Sequence, residues 1–317
     1  MLTFSFIIPV KPGRIVKALT ALRQLDAGVF PHEILIVEGR QPSRQRNIAA
    51  CEAKGDILYF LDDDSLITVT GLAHCAATLN DTSVAVVGGP SLTPPTDSRL
   101  QKLFGRALSS LFGAGGIRNR YRVTGISRVT TEKELILCNM AIRRNVFVGS
   151  GGLNERLYPN EENELLDRVA AAGHKIMHIP AMAIYRSQRL SLKAFVRQIF
   201  SYGRGRAQQT IIAGFSSLSS FVPMMFVLYL LSIPFLPSSV FWKLPLILYV
   251  VLDLVATCAV ILHTKEPYHV LLSMIFPLMH CSNGCGLMYG FLGGKPKLQP
   301  GGDEVVRRVM EIVHVDR

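Results

Sequence analysis

The sequence predicts an α/β domain built on a layered, largely parallel sheet and followed by membrane-crossing helices. Three observations lead there. Strand-like apolar runs alternate with helix-like runs through the first two-thirds of the 317 residues. The apolar residues, 49% of the chain, are concentrated in the last third. One strand-like run, GDILYFLDDDS from Gly55 to Ser65, ends in three consecutive aspartates, which places concentrated charge at a sheet rim.

FSFIIPV opens the chain as a strand, since MLTFSFIIPV has no basic leader, too short an apolar run and no small-residue cleavage site for a signal peptide. Ile15 to Leu25 shows helical spacing, EILIVEG is a second strand, and Ser43 to Lys54 is a helix. GDILYFLDDD is the third strand, Gly71 to Leu79 a helix, and SVAVVGGP a fourth strand. In a parallel sheet the ends at Pro9, Glu38 and Asp62 fall on one edge, where ligands bind in open α/β folds. Leu100 to Arg122 mixes Leu103, Phe104, Leu108, Leu111 and Phe112 with basic residues, the pattern of an interfacial flap or of a core-facing amphipathic helix. ELILCNMAIRRNVF reads as a strand with a turn, and a glycine-rich loop (Gly149, Gly151, Gly152) then leads into a helix at NEENELLDR. Ser191 to Gln209 is a basic helix.

Ile211 to Leu236 holds no charged side chain, Leu244 to Leu262 only Asp253, and Tyr268 to Gly294 none. Each run is long enough to cross a hydrocarbon core of about 30 Å. The expected organisation is therefore a catalytic-type domain over 1–208, a membrane region of two or three helices over 209–294, and a polar tail over 295–317. Pro277, Asn283 and several glycines make the third run the one that could be re-entrant. The net charge of +11 does not point to nucleic acid, because Arg186, Arg189, Lys193, Arg197, Arg204 and Arg206 gather just ahead of the membrane region, where anionic headgroups and the positive-inside rule account for them. That places the soluble domain in the cytoplasm, on an inner membrane. The six cysteines show no CxxC pairing and read as buried, reduced thiols.

Asp62, Asp63 and Asp64 repel one another at the end of a buried strand. A hard cation such as Mg²⁺ or Mn²⁺, completed by substrate phosphates, would relieve this; a solvated turn capped by Asp64 or Ser65 is the other reading. Glu38 is placed to accept from a base or ribose and Arg46 to face phosphate, unless the two pair with each other. No GxGxxG follows the first strand and no GxxxxGK[ST] occurs, so phosphate charge must be met by metal and side chains. Glu161, Glu162 and Glu164 open a helix, where the positive helix end favours acids; Glu162 could in addition serve as a general base toward an acceptor hydroxyl.

In their order, FSFIIPV, ILIVEG with RQRNIAA, GDILYFLDDD, NMAIRRNVF with GGLNE, NEENELLDR, QIFSYGRGRAQ and MHCSNGCGLMYGFLGG resemble the family 2 glycosyltransferases of GT-A fold, specifically membrane-anchored members of the succinoglycan or exopolysaccharide type. The resemblance implies a Rossmann-like nucleotide-diphospho-sugar transferase domain followed by transmembrane helices. It also implies an inverting, Mg²⁺- or Mn²⁺-dependent transfer from a nucleoside diphosphate sugar to a lipid-linked or saccharide acceptor. On this reading Asp64 and Asp62 are the metal-binding outer members of the D-x-D motif, and Pro9, Val10, Glu38, Arg46, Asp62 and Asp63 frame the donor nucleotide. Glu162, with Glu161 before it, stands in the catalytic acidic pair, and Gln198, Tyr202, Arg204 and Arg206 stand near acceptor and diphosphate. Relatives usually carry aspartate at the positions of Glu38 and Glu162, and a metal-binding histidine where this chain has Tyr185 and Arg186; His178 is a poor substitute and is expected to pack beside Ile179 and Pro180. Sugar transfer to polyprenyl phosphate itself, nucleotidyl transfer, and an inactive membrane scaffold are the rival readings.

Overall fold

The computed structural model describes residues 1–26, 29–215 and 217–296 and divides into two compact units, Met1–Pro94 with Asn119–Ser187 and Pro95–Arg118 with Gln188–Pro296. In chain order the first unit carries β1 (Phe4–Val10), α1 (Ala18–Leu22), β2 (His32–Glu38), α2 (Pro42–Glu52), β3 (Ile57–Leu61), α3 (Val69–Leu79), β4 (Val84–Gly88) and β5 (Ser91–Leu92). The second unit takes α4 (Arg99–Ser109) and α5 (Leu111–Ala114). The chain then supplies the first unit with β6 (Arg128–Val129), β7 (Asn139–Arg143), α6 (Arg144–Gly149), α7 (Glu161–Ala171), β8 (Lys175–His178) and β9 (Ile184–Tyr185). It ends in the second unit with α8 (Leu192–Ala213), α9 (Val222–Ser232), α10 (Val240–Thr264) and α11 (Leu272–Leu292). Most of the tail lies outside the described residues.

Seven strands form the main sheet in the order β2-β1-β3-β7-β4-β8-β6, and β5 pairs with β9 in a small second sheet. β1 is parallel to β2 and to β3, with Val10 opposite Glu38 and Ile7 opposite Phe60, so Pro9, Glu38 and Asp62 do arrive at one edge. The run ELILCNMAIRRNVF is shorter as a strand than its apolar content predicts: only Asn139–Arg143 is extended, and it lies antiparallel between β3 and β4. Leu135 and Leu137 are buried, yet the chain turns there, with the Asn139 N–H donating to the Ile136 carbonyl at 3.0 Å. Apolarity fixed their burial without fixing an extended backbone. The helix expected over Ile15–Leu25 likewise contracts to one short turn, α1.

The strands read as unbroken apolar runs because helices cover both sheet faces. Ile7, Leu58, Phe60, Met140, Ile142 and Val86 pack with Leu165, Leu166 and Val169 of α7 and with Phe147 of α6 in one core cluster. Polar groups inside it are matched. Tyr59 donates its hydroxyl to Asn139 Oδ1 at 2.7 Å, and Asn139 Nδ2 donates to the carbonyls of Met182 (2.6 Å) and Pro90 (3.3 Å). Ser5 donates to Glu33 Oε1 at 2.6 Å and accepts from the Gly55 N–H at 2.9 Å.

In the second unit, α4 begins with a capping box between Ser98 and Gln101 and buries Leu103, Phe104, Ala107 and Leu108. Phe104 stacks on Phe195 of α8 at 4.1 Å. Phe112 of α5 meets Phe276 of α11 edge-on at 5.2 Å, and its carbonyl lies 2.9 Å from His280 Nε2. α8 and α11 approach through small residues: a Cβ on Gly203 would overlap the Asn283 carbonyl, and one on Gly286 would overlap that of Phe200. Three helical stretches, Leu218–Phe235, Val240–Thr264 and Pro267–Leu292, are long and apolar enough to cross a membrane.

Candidate active site

The site is assembled at the carboxyl edge of β1, β2 and β3. β3 ends in a tight turn: the Ser65 N–H donates to the Asp62 carbonyl at 3.1 Å, and Ser65 Oγ accepts from the Asp62 N–H while donating to the Cys138 carbonyl, each at 3.2 Å. Ser65 is fully buried, so the turn is pinned from beneath and its three carboxylates face outward.

The repulsion among them is compatible in sequence with a bound cation or with a solvated turn. In the structure three guanidiniums meet them, so the crowding by itself does not require a metal. Arg14 Nη1 lies 3.3 Å from Asp63 Oδ2. Arg46 Nη2 donates to Asp62 Oδ1 at 2.8 Å, and Arg186 reaches Asp62 Oδ2 at 3.3 Å and Asp64 Oδ1 at 3.2 Å. Arg46 therefore does not pair with Glu38, which has no side-chain partner among the described residues. Val10 is buried, and Pro9 and Glu38 are half-buried beside it.

α2 presents Arg46 to the rim because its first turn is anchored to the strand ends. Gln45 Nε2 donates to the Val10 carbonyl at 3.0 Å and the Val37 carbonyl at 2.5 Å. Asn47 exchanges hydrogen bonds with the backbone of Leu153, at 2.8 and 2.9 Å, and so ties α2 to the glycine loop. Gly152 has φ +70°, and a Cβ there would strike Asn47, so that tie needs glycine.

Beyond the loop, Pro159 and Asn160 (φ 84°) deliver the chain to α7, whose first residues are Glu161 and Glu162. Glu161 is 3% exposed; its Oε1 lies 3.4 Å from Arg46 Nη1 and its Oε2 has no hydrogen-bond partner. Burial, and then the neighbouring Glu162 charge, push its pKa well above the usual carboxylate range, and Arg46 offsets this only in part. Glu162 Oε1 lies 3.5 Å from Arg120 Nη1. Arg120 is held by the carbonyl of Lys133 at 2.9 Å, the carbonyl of Glu132, and Asn163 Oδ1 at 2.6 Å. A hydrogen-bonded chain thus runs from Asp62 through Arg46 to Glu161 and places the acidic pair on the same rim as the aspartates.

Burial raises the Asp64 pKa despite the opposing pull of Arg186. Among the described residues no cluster of three or more His, Cys, Asp or Glu side chains could hold a metal unaided. Asp64 is the most exposed of the three aspartates, at 39% of its side chain, and among the described residues Arg186 is its side-chain partner. That donor set fits an ion that takes most of its oxygens from a bound phosphate group and from water. His178 is fully buried on β8, opposite Gly88 and Arg128, and is a packing residue as expected. Gln198, Tyr202, Arg204 and Arg206 lie on α8 of the second unit, where Gln198 bonds the Tyr202 hydroxyl at 2.6 Å. Arg14, Gln45, Arg120 and Asn163 carried no motif signal; their roles arise from contacts with residues up to 49 positions away.

No family model matches the chain. It is 27% identical over 122 residues, 38% of its length, to the dolichyl N-acetyl-alpha-D-glucosaminyl phosphate 3-beta-D-2,3-diacetamido-2,3-dideoxy-beta-D-glucuronosyltransferase of Methanococcus voltae; the match spans 36% of that relative. Among solved structures it is similar to the mannosyltransferase PcManGT of Pyrobaculum calidifontis in complex with GDP-Man and Mn²⁺, at 14% identity over 92% of this chain and 88% of that one, with a TM-score of 0.57. A further similarity is to S. aureus TarS in complex with UDP-GlcNAc, at 13% identity over 95% and 98% of the two chains, with a TM-score of 0.45. The chain has the mixed α/β fold of the GT-A glycosyltransferases, followed by three C-terminal helices long and apolar enough to span a membrane.

Proposed function

We propose that the chain is a glycosyltransferase that moves a sugar from a nucleoside diphosphate sugar to a lipid-linked acceptor at a membrane surface, by a single displacement that inverts the anomeric carbon. The observation that carries this reading is the hydrogen-bonded chain Asp62–Arg46–Glu161, which sets a carboxylate turn and an acidic helix start on one rim of a GT-A sheet. The names of the similar proteins, a dolichyl-linked glucuronosyltransferase and a mannosyltransferase with GDP-Man and Mn²⁺, support donor class, acceptor class and a divalent cation.

In this mechanism Pro9, Val10 and Glu38 line the base and ribose at the ends of β1 and β2 and Asp63 lies on the donor side, while Arg46, expected to face phosphate, is buried and holds Asp62 instead. A Mg²⁺ or Mn²⁺ on Asp64, beside Asp62, would supply neutralisation of the charge that develops on the departing diphosphate. Glu162 takes the proton from the acceptor hydroxyl. Arg120 holds that carboxylate from one side, and its own bonds to Asn163 and to the 132–133 backbone keep it from wandering. Burial and the neighbouring Glu162 favour the protonated form of Glu161 beside it. Gln198, Tyr202, Arg204 and Arg206 of α8 are the groups assigned to acceptor and diphosphate, on the resemblance of QIFSYGRGRAQ alone.

The membrane reading places α9 and α10 across the bilayer with the first unit cytoplasmic, supported by the basic residues of α8 just before the first apolar stretch. In the most apolar part of Pro267–Leu292, which contains α11, 44% of the residues are buried, where the shares in the other two apolar stretches are 6% and 11%. Its partners are α8 and α4, which carry Arg197, Arg204, Arg206, Lys102 and Arg106, together with α5 and the apolar α9 and α10. With basic helices on one side and apolar ones on the other, α11 is read as the re-entrant stretch, its α8-facing side at the headgroup level.

The test is turnover of a panel of nucleotide sugars by the full chain in membranes, reading free nucleoside diphosphate with and without Mn²⁺, for wild type and Glu162→Gln. Loss of turnover on the order of 10² to 10⁴, with nucleotide binding retained, is expected. Undiminished turnover removes Glu162 from the mechanism, and no release of nucleoside diphosphate from any donor favours the scaffold reading.

A further inference from the structure

The three aspartates of the turn face three arginines, and one of these arginines is placed differently from the others. Arg14 reaches only Asp63 and is largely exposed, and Arg46 is buried beneath Asp62. Arg186 alone bridges the two outer carboxylates, with Nη2 3.3 Å from Asp62 Oδ2 and Nε 3.2 Å from Asp64 Oδ1. Its backbone is fixed there by the small sheet. Tyr185 exchanges hydrogen bonds with Leu66, just past the turn, at 3.2 and 3.3 Å, and the Arg186 N–H donates to the Leu92 carbonyl at 2.9 Å. Nη1 closes the arrangement on Cys138 Sγ at 3.5 Å.

A guanidinium so placed occupies the position from which a divalent ion would draw on both carboxylates. The ion needs carboxylate oxygens within about 2.0–2.2 Å, and its charge beside Arg186 would be strongly repelled. The local count makes the same point: Asp62, Asp63 and Asp64 are balanced by Arg14, Arg46 and Arg186, so a lone divalent ion adds two uncompensated positive charges. A diphosphate reverses that sign. It offers Arg186 a bidentate partner of higher charge than either carboxylate, and drawing the guanidinium away uncovers Asp64 and the outer oxygen of Asp62.

We propose that Arg186 is a resident cation that keeps the aspartate turn closed to free divalent metal and opens it only when a nucleoside diphosphate draws its guanidinium away, so that metal and nucleotide bind as one coupled unit. This rests on the reading that the turn binds a nucleoside diphosphate. It assigns Arg186 a gating role at the carboxylates, separate from any part in the transfer step.

The experiment measures Mn²⁺ binding to the full chain in detergent by electron paramagnetic resonance, with Mn²⁺ alone and with GDP or UDP, for wild type, R186Q and R186K. Wild type is expected to bind Mn²⁺ at least ~10-fold more tightly with nucleoside diphosphate than without it. R186Q, which removes the charge at similar size, is expected to bind Mn²⁺ alone at least ~10-fold more tightly than wild type and to lose most of the coupling, with R186K closer to wild type. R186Q binding Mn²⁺ alone no better than wild type overturns the proposal. So does a wild type that binds nucleotide without any change in Mn²⁺ affinity, a result that needs no variant. Absence of GDP and UDP binding in every arm instead removes the functional reading beneath it, while the comparison of R186Q and wild type with Mn²⁺ alone still decides whether Arg186 guards the carboxylates.

Discussion

Replacing Glu161 with glutamine should make the protein more resistant to rising pH. Glu161 is buried, one of its oxygens has no partner, and Glu162 adds like charge beside it. Together these push its pKa from an ordinary 4.5 to about 8. The folded state therefore holds a proton that the unfolded chain releases between those two values. The folded state binds more protons there, so stability falls as pH rises through the window and is unaffected below it. At pH 7 the penalty is the distance above the unfolded pKa, 2.5 units at 1.36 kcal/mol each, or roughly 3 kcal/mol. Glutamine cannot ionise, and its carbonyl still accepts from Arg46. Thermal unfolding of the full chain in detergent, followed from pH 5 to 8.5, should give similar Tm values for wild type and Glu161→Gln at the acid end and a gap that widens toward the alkaline end. Asp64, raised in the same direction, titrates in both chains and cancels in the difference. Parallel curves would mean that Glu161 ionises like a surface acid; a gap opening toward low pH would reverse the sign of the argument altogether.

Arg46→Ala should cost about 3 kcal/mol of stability, the low end for removing one partner of a buried ion pair, because Asp62 is left short of its closest cation while Glu161 is already held neutral. Urea unfolding in micelles checks this, and a loss below about 1 kcal/mol would mean that solvent reaches the pair. If α11 rests at the headgroups, a reporter enzyme fused after it should be active on the same side of the membrane as the first unit, and Gly286→Leu, which drives a side chain into the Phe200 carbonyl, should make α8 protease-sensitive. A reporter active on the opposite side would restore α11 as a third crossing.

β1, β2 and β3 were legible because they are continuous apolar runs bounded by glycine, proline and acids, and β1 and β3 fall where FSFIIPV and ILYFL predict. The acidic pair was legible as a helix start, and the three apolar stretches as candidate spans. Each of these signals is local: burial of a whole segment and the electrostatics of a helix end are both written in neighbouring residues. What lay beyond the sequence depends on which distant side chains meet. Arg186 stands 122 positions from Asp64, and Arg120 stands 42 from Glu162, so no spacing could announce either pair. The antiparallel insertion of β7 between β3 and β4 was hidden for the same reason, since strand order is settled by long-range pairing and not by the strand's own apolar content. Hydropathy likewise identified α11 as a possible span, but only its close fit to α8 through Gly203 and Gly286 and to α9 through Gly284 gives it more protein contact than the other two stretches.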